Sequence, residues 1–164
     1  MKVPFRNQKI GVEMARAYAS TVCNADVETV WALVRNFEAV GRWIPGAKSC
    51  RILPAGDAAA PIRRIVLSDD STIDEVLVTL DDIHRRLRYV FVPPLPRGMR
   101  TFLGTAHVRP VTDGARTFVE WSSEFDCDAG WEDKMVSNIS GQLTQILAAV
   151  TAEAETTGAC HDAV

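Results

Sequence analysis

The sequence predicts an α+β domain in which a curved seven-stranded antiparallel sheet wraps around a long C-terminal helix, with two short helices after the first strand. Between residues 47 and 126, short β-rich runs alternate with turn signals. From about Gly130 to Thr156, Trp131, Met135, Ile139, Leu143, Ile146, Leu147 and Val150 recur at spacings of three and four, an apolar stripe about five turns long. One sheet of this size hides its apolar face only if something covers it, and the terminal helix has the length and the stripe to do so.

The elements follow in order. Ala17 to Asn24 reads as the first strand. Asn24 or Asp26 then caps a helix on which Val27, Val30, Trp31 and Val34 form one apolar face. Phe37 to Trp43 reads as a second short helix, broken at Ile44-Pro45-Gly46. Strands are expected at 47–54, 62–68, 72–80, 86–92, 100–111 and 116–126, with Asp113-Gly114 the strongest hairpin signal. Strands joined this closely form an antiparallel meander. Gly158 reads as the stop of the last helix. The domain is therefore placed at 17–157, after an N-terminal extension (1–16) and before a mobile tail (158–164).

Composition narrows the classes of function. The chain has 164 residues, 47% of them hydrophobic and 24% charged, with a formal net charge of -3. That is a one-domain length, able to bury about two-thirds of its unfolded surface without a disulfide or metal staple. Mild acidity argues against a nucleic-acid partner, which calls for clustered Lys and Arg. No apolar run approaches the roughly 20 residues of a membrane span. Met1 to Ile10 lacks the apolar stretch of a signal peptide, so a cytoplasmic protein is expected, monomeric or homodimeric. Cys23, Cys50, Cys127 and Cys160 are scattered and read as reduced thiols. No metal and no cofactor is expected, no phosphate-cradling Gly-rich loop occurs, and neither His84 nor His107 has a partner for a catalytic triad.

The ordered set Val30-Trp31-Ala-Leu-Val-Arg-Asn-Phe37, Trp43-Ile-Pro45, Lys48-Ser-Cys50, Glu75 five residues before Leu80-Asp81-Asp82, Tyr89 seven residues after Asp82, and the helix Trp131 to Thr156 resembles the helix-grip fold of the START-like (SRPBCC) superfamily. That superfamily includes the polyketide cyclase/dehydrase family and the plant pollen-allergen and abscisic acid receptor proteins. The likeness covers roughly residues 17 to 157. It departs from the hormone receptors in two places. The stretch at their gate loop is the short, acidic Ser68-Asp-Asp-Ser71, and Pro93-Pro-Leu-Pro-Arg-Gly98 stands where their latch carries a His. A bacterial-type ligand-binding or cyclase-like member is the better match.

The resemblance implies a pocket between the concave sheet face and the long helix. Period two puts Val119, Trp121, Ser123 and Phe125 on one face of the seventh strand and its acids on the other. Trp121 is then a pocket wall or plain core. Phe102, Gly104, Ala106 and Val108 share a face of the sixth strand, where the small residues leave volume for a ligand or for helix side chains. Glu75 matches the family's pocket glutamate; facing inward, its raised pKa suits acid–base work, and facing outward it is a solvated acid. Lys48 matches the lysine that meets a ligand carboxylate in receptor relatives, or is a surface lysine. Tyr89 offers a hydroxyl to a ligand oxygen, or is a core tyrosine. Met135, Asn138, Ile139 and Gln142 are the helix residues expected at the cavity, and Arg64 is read as a surface residue.

The expected ligand is a polyketide, other aromatic product or lipid. If the protein is an enzyme, Glu75 moves a proton and Lys48 or Tyr89 steadies an oxyanion in a cyclisation or dehydration. The alternatives are a non-catalytic carrier or sensor, and a partner-binding module whose cavity is packed core.

Overall fold

The structure, a computed structural model, describes residues 14–54, 59–96 and 98–161. Strand β1 (Ala15–Cys23) leads into helix α1 (Val27–Val34) and a single 3-10 turn (Ala39–Arg42). A meander follows: β2 (Ala47–Ile52), β3 (Ile62–Leu67), β4 (Thr72–Asp81), β5 (Arg86–Phe91), β6 (Met99–Val111) and β7 (Arg116–Cys127). After a short 3-10 turn (Ala129–Trp131), helix α2 spans Glu132–His161. The sheet is one seven-stranded antiparallel layer in the order β1-β7-β6-β5-β4-β3-β2. The first two strands thus lie at opposite edges, and the segment carrying α1 and its 3-10 turn crosses between them. This is the fold that the sequence predicts.

Local chemistry explains the joints. Asp26 Oδ1 accepts from the backbone N–H groups of Glu28 and Thr29, each at 3.0 Å, and so caps α1. Asp82, in the β4–β5 turn, receives Trp31 Nε1 at 2.9 Å and both ends of the Arg35 guanidinium, which ties α1 to the sheet. Register shifts interrupt the ladders at Ala47/Ser49, Leu77/Thr79 and Met99/Thr101. Such bulges bend and twist a sheet locally. The bulge at Val78 also explains why β4 alternates poorly: Val78 is apolar yet exposed.

Helix α2 is held by its C-terminal half. Leu143, Ile146, Leu147, Val150 and Ala154 are buried, whereas no residue from Glu132 to Gln142 is. On the facing β1, Ala15 and Ala17 are buried alanines, small enough for a helix to approach closely. Polar ties reinforce that half: Glu153 receives Trp43 Nε1 at 2.7 Å and Arg42 Nη2 at 2.6 Å, and Glu155 Oε1 receives the Asn24 N–H at 2.8 Å.

The second short helix, expected at Phe37 to Trp43, is present as a 3-10 turn at Ala39–Arg42. Two expectations are corrected. Strand β1 starts at Ala15, inside the expected N-terminal extension. Helix α2 runs through Gly158 to His161 because Gly158 keeps a helical backbone; a glycine stops a helix by entering the left-handed region, as Gly46 and Gly98 do elsewhere (φ 76° and 69°). A Cβ on Gly158 would sit 3.8 Å from that of Ala25, so the helix is still packing there. Residues 1–13 and 162–164 lie outside the described residues, as does the side chain of Cys160. Among the described residues, no helix is long and apolar enough to cross a membrane.

The two halves of α2 should respond differently to truncation. Leu147→Ala is expected to cost about 2–5 kcal/mol, because it opens a void in the tightly packed half. Met135→Ala, beside the existing cavity, should cost under about 1 kcal/mol, since little enclosed void is created. Chemical denaturation of the two variants checks this.

Candidate functional site

Where α2 stands off the sheet, a cavity of about 480 Å³ remains. Ligand sites commonly fall between about 300 and 1,000 Å³. Its wall is mostly apolar. On the sheet side, the Phe91 and Phe102 rings stack at 3.8 Å between centroids and 7° between planes. On the helix side stand Met135, Ile139, Leu143 and Ile146. Exposed Ser68, Asp69, Asn138 and Gln142 also line it, which puts them at its mouth. The mouth is therefore framed by the β3–β4 turn and the loose half of α2.

The interior carries three polar side chains: Glu75, Tyr89 and Ser123. Glu75 is 4% exposed and sits directly across the β3–β4 ladder from Arg63, itself 2% exposed. Arg63 Nε donates to Glu75 Oε2, and Arg63 Nη1 donates to the Phe37 carbonyl at 2.5 Å. The guanidinium carbon lies 4.0 Å from the Phe37 ring centroid and 4.7 Å from that of Tyr89, a cation–π sandwich. Arg63 does not line the cavity; it backs the glutamate that does. Burial pushes the Glu75 carboxyl up from its ordinary value, opposed by the charge and hydrogen bond of Arg63. Tyr89 Oη accepts from Trp121 Nε1 at 3.1 Å, and burial raises this phenol well above its usual value.

The predicted site residues sort into three groups. Glu75, Tyr89, Phe102, Ser123, Met135, Asn138, Ile139 and Gln142 all line the one cavity. Trp121 and Gly104 stand behind the wall: Trp121 orients the Tyr89 hydroxyl, and a Cβ on Gly104 would fall 2.2 Å from Tyr89 Cζ. The space left by Gly104 is thus filled by the tyrosine ring and not by the cavity. Lys48 is corrected: on the edge strand β2, with its side chain 47% exposed, its Nζ pairs with Asp70 Oδ1 at 2.6 Å on the surface. The β2–β3 register bulges between Ala47 and Ser49, at Lys48 itself.

Sequence reasoning missed Arg63 and considered its neighbour instead. Arg64 points to the other face and pairs with Asp74, both nitrogen–oxygen contacts at 2.7 Å. The available signal was the hairpin itself. A turn centred on Asp69 sets residues 63 and 64 opposite 75 and 74, so two arginines meet two acids, one pair on each face. Among the described residues, no three His, Cys, Asp or Glu side chains gather as a metal site, and Cys23, Cys50 and Cys127 are free thiols.

The sequence profile of a family described as polyketide cyclase / dehydrase and lipid transport matches residues 14–155. No curated protein sequence matches the chain. Among solved structures, the XoxI protein of Bacillus cereus superposes with a TM-score of 0.74 at 24% identity, over 85% of this chain and 95% of that one. A Nitrosospira multiformis protein gives 0.66 at 27% identity, over 84% and 94%. The Zhui aromatase/cyclase of a Streptomyces species gives 0.72 at 18% identity, over 87% and 94%, a likeness of fold.

Breaking the buried pair from one side should be costly. Arg63→Met leaves a buried carboxylate without its cation and is expected to destabilise by about 3–5 kcal/mol near neutral pH, with Arg63→Met/Glu75→Leu less damaging than the single change. The sign of the pH dependence follows. A glutamate whose folded pKa lies above its unfolded value binds its proton more tightly when folded, so stability falls as pH rises from the unfolded value of about 4.3 to the folded one. Removing Arg63 widens that interval, so the deficit of Arg63→Met should shrink on acidification. Denaturant titrations across pH measure it. Gly104→Ala should cost about 1–3 kcal/mol, because the new methyl meets a buried ring.

Proposed function

Because the chain belongs to the polyketide cyclase / dehydrase and lipid transport family, we propose that it takes one small, largely apolar molecule into the cavity between the sheet and α2, and that Glu75 moves a proton on it. The observation that carries this reading is a buried carboxylate in the wall of a mostly apolar cavity. A polyketide or other aromatic precursor suits the stacked Phe91 and Phe102 rings. The protein's part in catalysis is to fold the substrate into a reactive conformer and to exclude water.

In an aldol-type closure, the Glu75 carboxylate takes a proton from the carbon beside a carbonyl. The resulting enolate carbon bonds to a second carbonyl carbon, whose oxygen takes the proton back from Glu75 and becomes a hydroxyl. In dehydration Glu75 removes a second proton from the carbon beside the first carbonyl and passes it to the departing hydroxyl, which leaves as water. Arg63 fixes the carboxylate's position. Its pull limits the basicity that burial confers, so Glu75 is a positioned base of moderate strength. Lys48 takes no part, being paired with Asp70 outside; Tyr89 is the remaining donor for an oxyanion.

A carrier or sensor without turnover is the second reading. One observation favours it: Glu75 already has a full ionic partner, and so suffices as a fixed polar contact for a ligand hydroxyl.

Native mass spectrometry of the purified protein is expected to show a bound small molecule, or uptake of an added aromatic probe. With a β-polyketone substrate, Glu75→Gln should lose turnover about 100-fold or more while ligand affinity stays within a few-fold. Turnover unchanged in Glu75→Gln would remove the catalytic role. Failure to bind any apolar probe would remove the cavity reading altogether.

A further inference from the structure

The cavity contains two hydroxyl groups whose hydrogen-bonding is incomplete, and they stand in the same row across the sheet. Ser123 is 1% exposed, lines the cavity, and its Oγ has no hydrogen-bond partner. Buried hydroxyls without a partner are uncommon, because the lost bond to water is not replaced. Tyr89 also lines the cavity. Its oxygen accepts from Trp121 Nε1, and among the described residues no acceptor takes its proton.

Register brings the two together. Tyr89 pairs with Gly104 across β5–β6, and Gly104 pairs with Ser123 across β6–β7. Side chains at directly paired positions on one face have Cβ atoms about 4.5–5.5 Å apart. The residue between them has no side chain, and the Tyr89 ring leans into that gap: a Cβ on Gly104 would lie only 2.6 Å from the phenol oxygen. The tyrosine hydroxyl is thus carried across β6 towards Ser123.

We propose that Tyr89 and Ser123 form a two-donor subsite, at the cavity wall beside Gly104, for a carbonyl oxygen of a neutral ligand. The idea rests on the ligand reading above and adds to it the chemical group and the place where that group binds. The Trp121 N–H fixes the phenol so that its proton is the free end, and accepting a bond polarises a hydroxyl towards donating one. The raised pKa keeps that proton in place throughout the physiological range. The serine hydroxyl, free to rotate, supplies the second donor. The site suits a ketone, ester or quinone oxygen. It does not suit a carboxylate, because the Glu75 carboxylate already lines the same cavity and Arg63, whose Nη2 has no partner, is not among the residues that line it.

The probes are 2-acetylnaphthalene and 2-ethylnaphthalene, which differ in carrying a carbonyl or a methylene at one position. Calorimetry on the intact protein should show the ketone bound about tenfold more tightly, the scale of two modest hydrogen bonds. Ser123→Ala should reduce that preference, the ratio of the two affinities, at least threefold. The infrared carbonyl band of the bound ketone should lie at lower frequency in the wild type and move up in both Ser123→Ala and Tyr89→Phe. Equal affinities for the two probes, or a carbonyl band unmoved by Ser123→Ala, would overturn the subsite and leave the cavity reading standing. If neither probe binds, the cavity reading fails and takes the subsite with it.

Discussion

A single helix cannot cover a seven-stranded concave sheet along its whole length, and the site follows from that constraint. Helix α2 meets the sheet closely where β1 presents alanines and where Leu147 and Val150 fill the gap. Towards its N-terminus the same helix offers Met135, Ile139 and the two amides Asn138 and Gln142, and it stays partly exposed. The apolar stripe is continuous over both halves, yet only one half is packed. The remainder of the concave surface, floored by the Phe91–Phe102 stack, stays open as the cavity. On the proposed reading, stability and ligand binding fall to different turns of one helix.

Into that apolar space the sheet projects a charge. An isolated buried carboxylate would be costly, and the fold offsets the cost with a cation placed directly across the ladder. Arg63 is itself secured by the faces of Phe37 and Tyr89 and by the Phe37 carbonyl, so the pair is tied to the segment that joins α1 to its 3-10 turn. The outcome is a carboxylate of fixed direction with one side towards Arg63 and the other towards the cavity. Tyr89 serves twice, as one slice of the cation–π sandwich and as the hydroxyl pointing over Gly104.

Periodicity and turn chemistry made the architecture legible. The alternation of β6 and β7 named the inward faces correctly, because both strands are long and regular: Phe102, Ala106 and Val108, and Val119, Trp121 and Phe125, are all buried. The site was legible only in part. Glu75 and Tyr89 came through likeness of pattern, while the bulge at Val78 blurred the face of β4. Lys48 failed because residue type and position in the chain do not reveal the side an edge strand presents at a bulge. Gly104 was seen as empty space, whereas a ring from the neighbouring strand fills it. Arg63 was missed because a charged residue inside a sheet is rare in isolation; only the hairpin register, pairing it with Glu75, makes it reasonable.

On the proposed reading, the loose half of α2 and the concave sheet enclose a site for an apolar molecule. Methyl NMR spectra recorded while 2-ethylnaphthalene is added test it most directly. The account predicts shifts at Met135, Ile139, Ile65 and Ile73, which line the cavity, with Leu147 and Val150 in the packed half unmoved. Shifts confined to outward-facing methyls such as those of Val78 and Ile83, or no shifts at all, would contradict it.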